Sequence, residues 1–83
     1  MRCEKRGAKL YGQSQFSAAA DAYLRATDLR PNRVLNYYNL GMSLYKAGDR
    51  KRAREVWQRG LAIAEGRNAY IEEQLRMVLR QFG

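Results

Sequence analysis

The chain repeats its own pattern at a spacing of 34 residues, and this repeat constrains the fold more than any other sequence feature. When residues 1–33 are shifted by 34 positions, six of the 33 residue pairs are identical. The identical pairs are Gly7/Gly41, Leu10/Leu44, Tyr11/Tyr45, Ala19/Ala53, Arg25/Arg59 and Arg33/Arg67. Small and apolar residues recur three or four positions apart in both copies, which is helical spacing. The sequence therefore predicts a tandem array of helical units.

Turn-forming residues divide each copy into two helical segments and leave a fifth segment after them. The sequence predicts helices over about residues 2–11, 17–29, 33–47, 50–64 and 68–82. Polar residues suited to N-caps stand at the starts of four helices, namely Ser17, Asn32, Asp49 and Asn68. Pro31 ends the second helix, and Gly66 suits the end of the fourth. The last helix carries one apolar stripe, made of Ile71, Leu75, Val78, Leu79 and Phe82.

The residue types that are missing exclude several kinds of function. Without any histidine, the chain cannot use histidine for acid–base catalysis or as a metal ligand. Its single cysteine, Cys3, cannot form an internal disulfide or a cysteine-rich zinc site, and we expect it to fill the thin end of the core. No apolar run approaches the ~20 residues of a membrane span, and residues 1–6 do not resemble a signal peptide. We therefore expect a non-enzymatic chain without a cofactor, cytoplasmic by default.

The second copy carries a motif that is specific to one family. It reads Tyr37-x-x-Leu40-Gly41-x-x-Leu44-Tyr45 and continues with Gly48-Asp49, Ala53, Trp57 and Ile63. The first copy fits the same pattern with Gly7, Leu10, Tyr11, Phe16, Ala19, Tyr23, Ala26, Leu29 and Pro31-Asn32. Both copies resemble the tetratricopeptide repeat, in which each repeat is a helix–turn–helix unit.

This resemblance implies an all-α fold, a right-handed superhelical array of antiparallel helix hairpins (an α-solenoid) with five helices. The chain would form a single domain, with the first repeat over residues 1–33, the second over 34–67 and a capping helix over 68–83. The resemblance also implies a protein–protein interaction scaffold without enzymatic activity. Cys3 and Arg50 depart from the pattern where the family favours aromatic residues, and Glu65 departs where it favours proline.

Members of this family bind peptide segments in a concave groove lined by the inner helices. The groove residues that the resemblance implies are Lys5, Tyr11, Tyr38, Asn39, Met42, Tyr45, Lys46 and Arg76. Tyr38, Met42 and Tyr45 lie four and three residues apart, so they share one helix face, and Tyr37 is left to the core. We expect the groove to bind a protein or peptide with acidic and hydrophobic residues. The alternative is that these side chains only pack beneath the last helix.

A cluster of cations marks the fourth helix. It comprises Arg50, Lys51, Arg52, Arg54 and Arg59, in a chain whose net charge is +8. Such a basic outer face predicts an alternative partner, nucleic acid or an anionic surface, bound through phosphate contacts. No aromatic residue lies within residues 50–54, so base stacking has no support there, and the other interpretation is a solvated face. An engineered or excised minimal repeat protein without a ligand of its own is a further alternative.

The residues of the first helix determine which oligomeric state we expect. Cys3 and Leu10 place apolar surface on its outer side, where another copy could stack. Four cations oppose such stacking because they would repel a second basic end, namely Arg2, Lys5, Arg6 and Lys9. We therefore expect mostly a monomer, with weak self-association at high concentration.

Overall fold

The computed structural model describes residues 2–83, and these residues form five α-helices without a β-strand. The helices are α1 (Arg2–Gly12), α2 (Phe16–Leu29), α3 (Val34–Lys46), α4 (Arg50–Ala64) and α5 (Ala69–Phe82). Each observed helix begins and ends within one residue of its predicted bounds. The predicted all-α fold with five helices is therefore confirmed.

Each copy of the repeat forms an antiparallel pair of helices. In the first hairpin, the rings of Tyr11 and Phe16 meet across the turn, with centroids 5.1 Å apart. Gly7 faces Tyr23 further from the same turn, and Gly41 faces Trp57 in the second hairpin. Along the chain, α3 packs against α2, and α5 packs against both α4 and α3. Each hairpin thus contacts the next element of the stack, as in a repeat array.

Glycine in α1 and α3 allows the two helices of each hairpin to approach closely. A Cβ atom at Gly7 would lie 2.8 Å from the Tyr23 ring, and one at Gly41 would overlap the Trp57 indole. The indole is completely buried, and its Nε1 donates a 3.2 Å hydrogen bond to the Tyr38 carbonyl. In both hairpins a glycine of the first helix therefore faces a large aromatic residue of the second.

The last helix covers the second hairpin. Leu75 stands where the repeat pattern has Gly41, and its side chain is completely buried. The remaining residues of the predicted stripe join the same core, namely Ile71, Val78, Leu79 and Phe82. Glu73 and Arg80 lie on the solvent side of α5. A leucine fits here because no following helix requires a small residue at that position.

Two of the four predicted N-caps are confirmed. The Asp49 carboxylate accepts a 3.1 Å hydrogen bond from the Arg52 backbone N–H, and the Asn68 side-chain carbonyl accepts one of 3.1 Å from the Ile71 N–H. Gly66 has a φ of +75°, so the residue predicted to end α4 adopts the left-handed conformation that favours glycine.

The prediction that Ser17 caps α2 is wrong. Gln15 occupies the N-cap position without a side-chain capping bond, and the helix begins at Phe16. The Gln15 N–H donates a 2.9 Å hydrogen bond to the Leu10 carbonyl, which closes the turn after α1. This backbone bond, together with the contact between Tyr11 and Phe16, starts the helix before Ser17 is reached.

Asn32 is not the cap of α3, because Arg33 occupies the N-cap position. The Arg33 N–H donates a 3.2 Å hydrogen bond to the Arg30 carbonyl and closes the preceding turn. The buried Tyr37 donates its hydroxyl to the Pro31 carbonyl at 2.7 Å, so a side chain of α3 holds the turn in place. Among the described residues, no side chain caps the first N–H groups of α3.

Cys3 does not fill the core as predicted. Its side chain is half-buried and stands outside the buried cluster of apolar residues. Cys3 lines the open cavity between α1 and α2. Within residues 2–83, α2 is the main helix packed against α1, and no further helix covers this cavity.

Candidate functional site

The first part of the candidate site is an open cavity of about 300 Å³ between α1 and α3. Its lining residues are Ala8, Tyr11, Tyr23, Tyr38, Asn39 and Met42. Half of the predicted groove residues meet here, because Tyr11, Tyr38, Asn39 and Met42 all contribute to the wall. We refer to this space as the α1–α3 cavity.

The tyrosines of the α1–α3 cavity are held by the surrounding structure. The Tyr11 ring packs against Phe16 at an interplanar angle of 72°, an edge-to-face contact. The Tyr38 carbonyl accepts the hydrogen bond from the buried Trp57, so the backbone beneath its half-buried side chain is anchored. A ligand would therefore meet side chains whose freedom is already reduced.

Burial also determines the protonation of the cavity wall. It raises the pKa of Tyr11, and the nearby Tyr38 raises it further. Burial raises the pKa of Tyr23 as well, with additional contributions from Glu4 and Tyr11. Because both shifts favour the neutral phenol, these hydroxyls stay protonated at neutral pH and can donate or accept hydrogen bonds.

A second cavity of about 160 Å³ lies between α3 and α5. Its lining residues are Leu35, Tyr38, Tyr70, Ile71 and Gln74. Tyr38 lines both cavities, so they are neighbours, and we call the two together the inner groove. The sequence analysis missed Leu35 and Tyr70, which are 40% and 71% exposed. Tyr70 could have been noticed as a large aromatic residue next to, but outside, the apolar stripe of α5.

Tyr45 lies away from the inner groove, although its spacing placed it beside Tyr38. Its ring stacks on Phe82 at a centroid distance of 4.8 Å and lies 6.3 Å from the Trp57 ring. On the other side, the Arg50 guanidinium lies 5.3 Å from the Tyr45 centroid, within cation–π range. The last turn of α5 therefore packs over Tyr45, as in the alternative left open by the sequence.

The charged residues predicted for the groove do not line either of its cavities. Lys5 and Lys46 are exposed and line neither cavity. Arg76 donates a 2.8 Å hydrogen bond to the Glu72 carboxylate, which lowers the pKa of Glu72 and raises that of Arg76. This pair spans one turn of α5, so Arg76 is held along its own helix.

Comparison with known proteins identifies this architecture. A family model described as tetratricopeptide repeat matches residues 34–67, which contain α3 and α4. The solution structure of protein BPP2914 from Bordetella parapertussis is 32% identical, with a TM-score of 0.81, over 92% of this chain and 67% of that chain. The chain belongs to the tetratricopeptide repeat family. Tetratricopeptide repeats generally mediate protein–protein interactions and are typically non-enzymatic modules. A search of the curated proteins finds no match.

The five cations of the predicted basic face of this tetratricopeptide repeat chain have different surroundings. Arg50 lies over Tyr45, and the Arg54 guanidinium donates a 3.4 Å hydrogen bond to the Gly83 carbonyl. Arg52 lies 3.9 Å from Asp49. Lys51 is exposed, and Arg59 lines a different cavity, between α2 and α4. The helix thus directs three of its five cations toward groups of the chain itself.

Metal ligation and membrane insertion find no support in this tetratricopeptide repeat chain. Over residues 2–83, no group of three or more histidine, cysteine, aspartate or glutamate residues is placed to hold a metal ion. None of the described helices is long and apolar enough to cross a membrane.

Proposed function

We propose that this chain is a non-enzymatic adaptor whose inner groove binds a peptide or helix with hydrophobic and acidic residues. The observation that carries the proposal is the position of Tyr38, which lines both cavities. An extended segment or a helix lying along this groove would contact three helices of the array. Its hydrophobic side chains would occupy the two cavities.

The chemistry of the groove favours hydrophobic anchors. Tyr11 and Tyr38 offer large contact areas at a small cost in side-chain entropy. Met42 adds a flexible, polarizable surface that adapts to the shape of a ligand side chain. The cavity volumes of about 300 and 160 Å³ lie at or below the lower end of the range for small-molecule pockets. Single side chains of a peptide therefore suit these cavities better than a complete cofactor.

The charge around the groove favours a ligand that carries carboxylates. The carboxylate of Glu4 lies 2.6 Å from the Arg33 guanidinium, and Glu72 is paired with Arg76. These arginines offset the acidic residues of α1 and of the first turn of α5. Lys5 and Lys46 are exposed, in a chain of net charge +8. Such a field attracts acidic segments and disfavours basic ones.

Peptides selected from a random display library on the intact chain would test the proposal. We expect fluorescein-labelled selected peptides to bind with micromolar Kd, as a small groove with few anchors allows. The double variant Tyr11→Ala/Tyr38→Ala should weaken binding about tenfold or more. The matched control, Lys51→Ala/Arg52→Ala, lies outside the groove and should leave binding unchanged.

The same measurement separates the groove from the basic face. If the variant at Lys51 and Arg52 abolishes binding while the tyrosine variant does not, the inner groove is not the site. A steep loss of affinity with salt would then point to the phosphate contacts of a nucleic acid ligand. Circular dichroism of each variant verifies that the helices are retained.

A further inference from the structure

A second open surface lies on the outer side of the first hairpin, away from the inner groove. It surrounds a cavity of about 530 Å³ between α1 and α2. Its principal residues are Arg2, Cys3, Arg6, Leu10, Ala22 and Arg25. We call these six residues the outer face. The face combines apolar side chains with three arginines.

The internal repeat shows how the same positions are used in the second hairpin. Moving Arg2, Cys3, Arg6 and Leu10 forward by 34 residues gives Asn36, Tyr37, Leu40 and Leu44. All four of those residues of α3 are buried. In the second hairpin, another part of the chain therefore covers this set of positions.

In the second hairpin, α2 covers these positions by packing along α3. This helix carries apolar and acidic residues. Leu24 and Asp28 of α2 line the same cavity as Leu40 of α3 and Arg59 of α4. Leu24 and Asp28 are four residues apart, so they lie on one side of α2. An apolar side chain and a carboxylate thus face the second hairpin together.

The first hairpin carries an excess of cations at its cavity, whose lining contains Arg2, Arg6 and Arg25 against the carboxylate of Asp21. Arg25 is the 34-residue equivalent of Arg59, and Ala22 is the equivalent of Val56. Arg6 adds a cation where the second hairpin has Leu40. Within residues 2–83, no carboxylate lies within the 4.0 Å ion-pair distance of Arg2, Arg6 or Arg25. Carboxylates from a covering element would complete these pairs.

We propose that the outer face docks an acidic amphipathic helix of a partner protein. Apolar side chains of that helix would lie against Leu10, Cys3 and Ala22. Its carboxylates, one turn from the apolar residues, would pair with Arg6 and Arg25. The helix would take the place at the first hairpin that α2 takes at the second.

Charge argues against a second copy of this chain as the occupant. A second copy carries the same net charge of +8, so it would bring further cations toward the outer face. The acidic residue of α2 that serves as the template already lines the cavity between α2 and α4. Nucleic acid is disfavoured because the lining of this cavity contains Asp21 and no aromatic ring for base stacking.

The test uses a labelled helical peptide that copies α2, the helix that packs along α3 in the second hairpin. Its sequence is residues 16–30 of this chain with Arg25 and Arg30 replaced by glutamate, and its ends are acetylated and amidated. We expect saturable binding to the intact chain with a Kd of about 100 µM, within reach of a small apolar contact and partly exposed ion pairs. Backbone amide shifts should change around Arg6 and Arg25 and not around Tyr70. The absence of saturable binding at about 1 mM peptide would overturn the proposal.

Charge reversal makes the test specific. The protein variant Arg6→Glu/Arg25→Glu should weaken binding about tenfold, and a peptide with lysine at its acidic positions should restore it. The control variant Lys51→Glu/Arg67→Glu changes the net charge equally at exposed positions outside the outer face and should bind normally. Equal losses in both variants, or no rescue, would show that only the overall charge attracts the peptide and would overturn the proposal.

Two further readouts distinguish the outer face from the inner groove and a helical partner from a different occupant. The groove variant Tyr11→Ala/Tyr38→Ala should bind the peptide as the unmodified chain does. The proposal for the outer face and the proposal for the inner groove can therefore be disproved independently. A random single-stranded oligonucleotide that competes with the peptide at the same amide positions would assign the face to nucleic acid instead. Sedimentation showing a dimer that the peptide dissociates would assign it to a second copy.

Discussion

The two hairpins share one internal design but differ in what surrounds them. Both place a glycine of the first helix against an aromatic ring of the second, at Gly7 with Tyr23 and at Gly41 with Trp57. The second hairpin lies between α2 and α5, whereas the first has a neighbour only on the side of α3 among the described helices. The comparison teaches that the repeat pattern specifies packing within a hairpin, while the neighbours decide which of its faces are buried.

The largest effect should come from removing α5, which leaves the second hairpin without one of the helices that pack on it. Deleting residues 68–83 removes α5 and exposes the apolar surface that Leu75 and Phe82 cover. We expect the shortened chain to self-associate or to lose fixed tertiary packing, since exposed apolar surface favours association. Sedimentation and near-ultraviolet circular dichroism measure these outcomes. A monomeric chain that unfolds cooperatively would show that the second hairpin does not need its cover.

Replacing the central aromatic residues compares the two hairpins directly. Trp57→Ala should lower the free energy of unfolding by about 3–5 kcal/mol, because the indole is completely buried and contacts both Tyr45 and Phe82. Tyr23→Ala should cost less, since Tyr23 lines the open α1–α3 cavity. Urea denaturation gives both values, with Trp57→Phe as the milder variant if the alanine variant does not fold. A cost below about 1 kcal/mol at Trp57 is incompatible with its burial.

The two glycines offer a finer comparison. Gly41→Ala should destabilise the chain by about 1–3 kcal/mol, because its new methyl group would overlap the enclosed indole of Trp57. Gly7→Ala should cost less, because the Tyr23 ring can shift toward the more open first hairpin. Thermal and urea unfolding of the two variants test this order. Equal costs would mean that the two hairpins pack their glycines with equal rigidity.

The smallest effect concerns the ion pair between Glu72 and Arg76 on α5. Because Arg76 lowers the pKa of Glu72 in the folded chain, this pair contributes stability above the ordinary carboxyl pKa. That contribution should disappear as the pH falls through the lowered pKa of Glu72. Urea denaturation between neutral and acidic pH should show a shallower dependence in Glu72→Gln than in the unmodified chain. An unchanged pH dependence would contradict the assignment.

The sequence alone determined the helices and the packing inside each hairpin. Period, turn residues and apolar spacing are local properties, so the helix bounds, the caps at Asp49 and Asn68 and the burial of Trp57 followed from them. The burial of Leu75 also followed, because this residue lies on the predicted apolar stripe of the last helix. About half of the predicted groove residues meet in the α1–α3 cavity for the same reason, since they share helix faces.

Only the tertiary structure decided which of the remaining faces are covered. Tyr45 and Tyr38 share a helix face, yet Phe82 packs on Tyr45 and leaves Tyr38 half-exposed. Tyr70 enters the groove although it stands outside the apolar stripe of its own helix, and Cys3 stays half-exposed although its repeat equivalent, Tyr37, is buried. Helical periodicity places a side chain around its own axis and carries no information about the neighbouring helix. The burial of these residues depends on where α2 and α5 lie in space, which contacts between distant parts of the chain determine.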